Sequence, residues 1–418
     1  MRYQPIYDIA EICARKNITQ VVLCPGSRCA PLTLAFTRHP RITTRTFSDE
    51  RSAGFVALGM AQSLRKPVAI VCTSGTAAYN LAPAVAEAWF SKTPLIVFTA
   101  DRPAEWIGQY DGQTIYQPEI FGRHVKQSFQ LPQDYDHSDS LWAINRMVND
   151  AINTSIQTPS GPVHINAPFR EPLYPPKGED TFSYGNVRVI EEYPSESRLT
   201  DTDIAALQNA WTNYHNILVV AGQGLPDEAL RQAVSALQRT HHVPVVHDVI
   251  SNLHQLEDTV QHSDLFLGQA PDSVIDMLRP DLLITFGDSL ISKNLKLFLR
   301  KYPPARHWHV QSSGPVADTF KSLTDIFFTT PRHFIETLSA ITPAQTFESQ
   351  KQKNYFNLWR AEEGRVMPVL NETLHGNSLT ELSLVKMLMG NLPENSNLHL
   401  ANSMSVRYAN FIGLAPGS

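Results

Sequence analysis

Five short stretches of this chain concentrate small residues, glycines and charges: CPGSR (Cys24–Arg28), SDER (Ser48–Arg51), CTSGTAA (Cys72–Ala78), TADRP (Thr99–Pro103) and INAP (Ile165–Pro168). Each ends an apolar run of strand type. In open parallel sheets, ligands bind at the carboxyl ends of the strands. The five stretches therefore read as one site lined by several loops, carrying arginines and a glutamate beyond what turns need. The plainer alternative is a set of well-formed strand-to-helix turns. CTSGTAA offers hydroxyls and backbone amides at a helix N-terminus, which suits an anion or a polar ring edge. It lacks the lysine and spacing of a P-loop, which argues against a nucleoside triphosphate. Glu50 stands directly ahead of the helix pattern RSAGFVALGMA. Alone, a carboxylate there reads as a dipole partner or cap, worth under about 1 kcal/mol.

These residues need a scaffold, and the first third of the chain supplies an alternating one. The runs VVLC, TRTF, PVAIVCT, PLIVFTA and GPVHINAP read as strands. The stretches APLTLAF, the segment from Glu50, TAAYNLAPAVAEAWF and DSLWAINRMVNDAIN read as helices. Short apolar strands alternating with amphipathic helices predict an α/β fold, a parallel sheet covered on both faces. This domain is placed at 1–175. EPLYPPKGEDTFSYG follows as a linker. A second, smaller α/β domain, placed at 190–342, contains NILVVAGQG, DEALRQAVSALQRT, VPVVHD, DSVIDMLRP, DLLITFGDSL and ARHWHVQ. Its AGQG turn (Ala221–Gly224) lacks the full dinucleotide fingerprint and reads as a tight turn that binds no cofactor. The polar stretch TPAQTFESQKQKN separates a third block, placed at 352–418, with helices YFNLWRAEEGRVMPVL and SLTELSLVKMLMG.

Bulk properties exclude several classes. The 418 residues are 42% hydrophobic and 18% charged, compatible with substantial cores. A net charge of −5 gives no basic field for nucleic acid. None of the fifteen histidines lies in an HExxH spacing, and no two of the four cysteines form a CxxC. Cys13, Cys24, Cys29 and Cys72 read as reduced, buried thiols of a cytoplasmic protein. The N-terminus mixes charged and apolar residues and is no signal peptide. No apolar run approaches the roughly 18 residues of a membrane span.

Taken together, CPGSR…PLTLA, DERSAGFVALGMA, PVAIVCTSGTAAYN, PLIVFTADRP, GQTIYQPEIFGRHV and GPVHINAPFREPLY resemble the first domain of a family of thiamine-diphosphate-dependent enzymes. It is the 2-succinyl-5-enolpyruvyl-6-hydroxy-3-cyclohexene-1-carboxylate synthases (MenD) of menaquinone biosynthesis. The second block resembles their central domain more loosely, and LHLANSMSVRYAN resembles the start of their third.

The resemblance implies a thiamine-diphosphate-binding fold whose first domain holds the cofactor's aminopyrimidine. Glu50 then hydrogen-bonds N1′ and shares a proton that drives the 4′-amino group toward its imino form, which activates C2. Burial is expected to raise its pKa and strengthen that bond. Ser74, Gly75 and Thr76 are implied cofactor contacts. The implied reaction decarboxylates 2-oxoglutarate and adds the remaining fragment to isochorismate. Both substrates are polyanions, and Ser27, Arg28, Arg102, Gln113, Lys293, Ser403 and Arg407 match family positions that hold them. One departure is Asn294, where the family carries arginine after the lysine.

The resemblance also implies a GD segment, followed by an asparagine, that binds Mg2+ or Mn2+ and the diphosphate. It is not found after Arg407, so the third domain is expected to be incomplete, with no metal ligand in this chain and no turnover by the chain alone. A homodimer, or a dimer of dimers, is expected through the first domain, around Glu50, the TSGTAA turn and the helix from Thr76 to Phe90. Two rivals remain open. One is another thiamine-diphosphate enzyme, a 2-oxoacid decarboxylase or an acetohydroxyacid-synthase-like one. The other is a non-catalytic two-domain binding module.

Overall fold

In the computed structural model, residues 4–175, 184–193, 195, 197–341, 347–374, 379–393 and 396–414 are described. They fall into two compact units, Met1–Ser195 and Glu196–Ser418.

The first unit runs α1 (Gln4–Arg15), β1 (Gln20–Leu23), α2 (Ala30–Thr37), β2 (Thr43–Thr46), α3 (Glu50–Leu64), β3 (Val68–Cys72), α4 (Thr76–Asn80), α5 (Ala82–Phe90), β4 (Leu95–Asp101), β5 (Ser128–Gln130), α6 (Ser138–Ile156) and β6 (Val163–Pro168). The sheet order is β2-β1-β3-β4-β6-β5, with every neighbouring pair parallel. Successive side chains of a strand point to opposite faces, and both faces here are covered. Val21, Leu23, Val71 and Phe98 pack with Ile9, Leu32 and Val148 from α1, α2 and α6. Val22, Ile70, Cys72 and Val97 pack with Ala57, Leu58 and Val85 from α3 and α5. This is why the strands read as continuous apolar runs.

Two expectations change. The single helix expected over Thr76–Phe90 is two, α4 and α5, meeting at Leu81. Pro83 has no N–H to return to the preceding turn, so it starts a new helix instead of continuing the old one. The small residues of that region are also partly spent inside the chain: a Cβ on Gly54 of α3 would lie 2.9 Å from Ala84 Cβ of α5. The edge strand β5 lies in the long excursion between β4 and α6, where the sequence analysis placed no element.

The second unit runs α7 (Asp201–Trp211), β7 (Ile217–Ala221), α8 (Glu228–His241), β8 (Val245–His247), α9 (Ser263–Leu267), α10 (Asp272–Met277), β9 (Leu282–Phe286), α11 (Lys293–Lys301), β10 (Arg306–Gln311), β11 (Asp325–Phe328), α12 (Pro331–Ser339), α13 (Phe347–Leu374), α14 (Glu381–Gly390) and α15 (Met404–Ile412). Its five strands are again all parallel, in the order β11-β10-β9-β7-β8. The polar stretch read as a separator is largely the start of α13; its residues 342–346, like 176–183 of the linker and 415–418, lie outside the described residues. α13 is fastened to this sheet. Trp359 is fully buried beside Phe266 and Phe298. Tyr355 donates to Leu278 O at 2.8 Å, and Gln352 bridges the backbone of Ile217 and His242.

Candidate active site

In the first sheet, β1 lies between β2 and β3, so the connections leave it in opposite directions. The carboxyl ends of β1 and β3 form the switch point at which α/β sheets take ligands. A cavity of about 720 Å³ opens there. Its lining includes Gly26 and Ser27 after β1, Glu50 after β2, Thr73 to Thr76 after β3, Asn80 of α4, and Asp111, Gln113 and Thr114 from the long excursion after β4.

The helix α3 places the glutamate. Asp49, not Glu50, is its N-cap: the Asp49 carboxylate accepts from Arg51 N at 3.1 Å and from Ser52 Oγ at 2.6 Å. The Ser52 hydrogen bond holds the Asp49 carboxyl below its usual range. With capping supplied next door, Glu50 is left for the cavity, where Asn80 Nδ2 donates to its Oε2 at 3.3 Å. The expected enclosure is not met: Glu50 is half-buried, because the cavity it faces is open.

The turn after β3 is shaped for a guest. Gly75 has φ +87°, ψ −150°, a conformation that glycine alone adopts freely. A Cβ there would sit 3.1 Å from Gln113 O. Thr73 Oγ1 and Ser74 Oγ are buried, and neither has a hydrogen-bond partner among the described residues. Buried hydroxyls without partners cost roughly 1–3 kcal/mol each. Thr73 and Ser74 line the same polar cavity as Glu50, a lining compatible with the aminopyrimidine that the resemblance implies.

Behind this turn lies a residue that the sequence analysis did not single out. Gln117 is fully buried. It accepts from Gly75 N at 2.8 Å and donates to Ala100 O at 3.0 Å and Asn166 Oδ1 at 2.9 Å. Asn166 in turn donates to Asp101 Oδ2 and Gln130 Oε1, both at 2.8 Å. Burial keeps the Asp101 carboxyl up and drives His164, joined to this network through Thr99, down to about 3. Among the described residues, all four cysteines are free and buried. Burial pushes Cys13 and Cys24 up to about 12, which leaves neither as a thiolate nucleophile.

The expected substrate residues divide. Ser27 and Gln113 line the cavity, whereas Arg28 and Arg102 are not among its lining. Arg28 is buried, donates to Phe169 O at 2.8 Å just past β6, and keeps Nε without a partner among the described residues. Arg102 holds the excursion in place, with Nε 2.6 Å from Asp111 Oδ2 and Nη2 2.6 Å from Gly112 O. In the second unit, Lys293 opens α11 and Arg407 lies on α15, both exposed. Ser403 caps α15 with φ +75° and ψ −128°, backbone strain of the kind that collects at functional sites. Asn294 is explained by its contacts: its N and Nδ2 donate to Asp264 Oδ1 and O, at 2.5 and 2.7 Å, tying α11 to α9.

The AGQG turn after β7 has its amides taken by protein acceptors. A Cβ on Gly222 would lie 2.4 Å from Asp288 O, and the amides of Gly222, Gln223 and Gly224 donate to Phe286, Ser289 and Ile250. Among the described residues, no group of three or more His, Cys, Asp or Glu side chains is arranged to hold a metal ion, and no helix is long and apolar enough to cross a membrane.

Comparison with known proteins identifies the domains and the family. Residues 7–127 match the thiamine pyrophosphate enzyme N-terminal TPP binding domain, and residues 191–400 match the middle domain of thiamine pyrophosphate enzymes. The chain is similar to proteins named 2-succinyl-5-enolpyruvyl-6-hydroxy-3-cyclohexene-1-carboxylate synthase. With that of Cytophaga hutchinsonii it shares 42% identity over 99% of this chain and 72% of the relative. The corresponding figures are 37%, 97% and 70% for Bacteroides thetaiotaomicron, and 34%, 97% and 72% for Desulfotalea psychrophila. The chain therefore belongs to the 2-succinyl-5-enolpyruvyl-6-hydroxy-3-cyclohexene-1-carboxylate synthase family of thiamine-diphosphate-dependent enzymes.

Proposed function

We propose that this protein is a thiamine-diphosphate-dependent transferase of menaquinone biosynthesis, in which 2-oxoglutarate loses CO2 and its remaining four-carbon fragment is joined to isochorismate. The observation that carries the reading is Glu50 at the switch-point cavity, whose lining it shares with Thr73 and Ser74, two residues with buried hydroxyls that have no partner among the described residues. When bound, thiamine diphosphate supplies the carbon nucleophile and the electron sink. The chain's own residues do the rest. Glu50 shares a proton with the ring nitrogen N1′ of the pyrimidine. Ser74, Gly75 and Thr76 meet the ring's edge. Gln117 keeps the Gly75 turn in register. Ser27, Arg28, Arg102 and Gln113, with Lys293, Ser403 and Arg407 of the second unit, meet substrate carboxylates. For Arg102 this requires release from Asp111.

A Mg2+ or Mn2+ ion accompanies the diphosphate in this reading, and the protein is cytoplasmic. The proposed division is 1–175, 190–342 and 352–418, with the last stretch fastened through α13 to the second unit and leading into a diphosphate-binding domain. We also propose a homodimer, alone or paired into a tetramer, built on the first unit. Phe55, Tyr79 and Phe90 on α3, α4 and α5 are exposed, and apolar surface of this kind favours pairing.

The test uses the full-length protein with thiamine diphosphate and Mg2+. Isochorismate with 2-oxoglutarate should yield the succinylated product, while pyruvate in place of 2-oxoglutarate runs at least about a hundredfold slower, roughly 2.7 kcal/mol of barrier. Comparable use of pyruvate would transfer the protein to the acetohydroxyacid-synthase-like reading.

A further inference from the structure

The second unit carries a buried carboxylate that no step above uses. Asp248 follows β8 directly and is 1% exposed. Its Oδ2 accepts from Ile291 N and from Ser292 N, the latter at 3.0 Å, at the start of α11. Its Oδ1 accepts from Asn410 Nδ2 of α15 at 3.3 Å. Asn410 answers with its own Oδ1, which accepts from Val249 N at 2.8 Å. One side chain thus holds the residue before Lys293 and, through Asn410, the helix turn that carries Arg407.

A buried charge is an expensive way to fill space. Its desolvation costs several kcal/mol unless hydrogen bonds offset it, and an apolar residue of similar volume often packs as well or better. What the carboxylate adds is direction. It accepts from two backbone amides at a helix start, where the helix dipole favours an anion, and from a side-chain amide on a second helix. The neighbourhood is charged throughout. The Asp264 carboxyl is held up by burial and by the Asp248 charge, and is drawn back by the Asn294 hydrogen bond, Arg407 and Lys296. Arg407 therefore lies within electrostatic reach of the place where α9 and α11 join.

We propose that Asp248, through its paired hydrogen bonds to the α11 start and to Asn410, is the positioning residue that sets Lys293 and Arg407 at the spacing of a substrate's carboxylates. This rests on the reading that those two cations meet substrate.

The test is an isosteric swap in the full-length holoenzyme. Asp248→Asn leaves an acceptor for the α11 amides but turns an NH2 group against the NH2 of Asn410. Asp248→Asn/Asn410→Asp restores a donor facing an acceptor and keeps the acceptor for Val249 N. Asp248→Asn should raise one substrate KM about tenfold or more, leaving kcat within about threefold and thiamine diphosphate affinity unchanged. The KM that rises should be the one raised by Arg407→Ala. The double variant should return it to within about threefold of wild type. If Asp248→Asn does not fold, Asn410→Ala decides, since it leaves the α11 amides bonded; it should raise the same KM at least threefold. An unchanged KM in the folded single variant, or a double variant with wild-type Tm and no recovery, overturns the proposal while leaving the substrate reading intact. Lys293→Ala and Arg407→Ala both without effect on either KM would overturn the substrate reading, and the positioning role with it.

Discussion

The two units use the same architectural phrase, a parallel strand running into a glycine turn and then a helix, and reach opposite ends. After β3 the turn borders a cavity: Gly75 bends at φ +87°, and Thr73 and Ser74, whose buried hydroxyls have no partners among the described residues, line it. After β7 the turn is filled by its neighbour. The backbone of Asp288 presses on Gly222, and the three amides of the turn are bonded to protein carbonyls. Both turns have a neighbouring segment against their glycine; the turn after β3 differs in keeping a cavity beside it.

The first way to break this comparison is also the largest in effect. Glu50→Gln in the full-length enzyme should lower carboligation at least a hundredfold while Tm stays within about 2 °C, because glutamine fills the volume without exchanging the proton. Activity within about tenfold of wild type, roughly 1.4 kcal/mol of barrier, would remove the role assigned to the open site. Next come the substrate cations. Arg28→Ala and Arg407→Ala should each lower kcat/KM by roughly ten- to a hundredfold, the value of one charge-assisted hydrogen bond, with cofactor affinity near normal. Lost cofactor affinity with unchanged substrate kinetics would reverse that assignment.

The glycines sharpen the contrast directly. Gly222→Ala overpacks a filled turn and should cost about 1–3 kcal/mol of stability, read as a lower Tm, without touching cofactor affinity. Gly75→Ala should weaken thiamine diphosphate binding, because its Cβ meets Gln113 beside the cavity and its backbone conformation disfavours a side chain. Equal cofactor affinities in the two variants would mean that the open and closed turns do not differ in function.

The smallest effect concerns pH. Burial opposes the charged form of His262, but the hydrogen bond and charge of Glu363 on α13 outweigh it and leave the pKa raised. A raised folded pKa contributes stability that is full below the unfolded value of about 6.5 and is lost as pH rises through the folded value. The Tm gap between wild type and Glu363→Gln should therefore be widest in mild acid and narrow at higher pH. A gap independent of pH would mean that His262 is neutral throughout.

The inner strands were legible because both sheets bury both faces, and runs such as VVLC and PLIVFTA leave little room for another reading, whereas the part-exposed edge strands β5 and β11 were not read. The break at Leu81 was missed: Pro83 signals it, but the run of alanines around it reads as one helix. The site was legible in part. Glu50 stood out only through its resemblance to a family, since a carboxylate at a helix start ordinarily serves as a cap, and here Asp49 takes that work. Gln117 and Asp248 were invisible for a physical reason. Their partners lie 42 residues away at Gly75 and 162 away at Asn410, and no local pattern records such a hydrogen bond. The pull of Arg28 toward Phe169, 141 residues away, was hidden in the same way.

The most direct test of the open site needs no substrate. Wild-type and Glu50→Gln full-length protein are loaded with thiamine diphosphate and Mg2+ in deuterated buffer, and loss of the C2 proton is followed by NMR after rapid acid quench. Glu50 as the proton-holding group predicts exchange at least a hundredfold slower in the variant at equal cofactor occupancy. Equal exchange rates in the two proteins would contradict it.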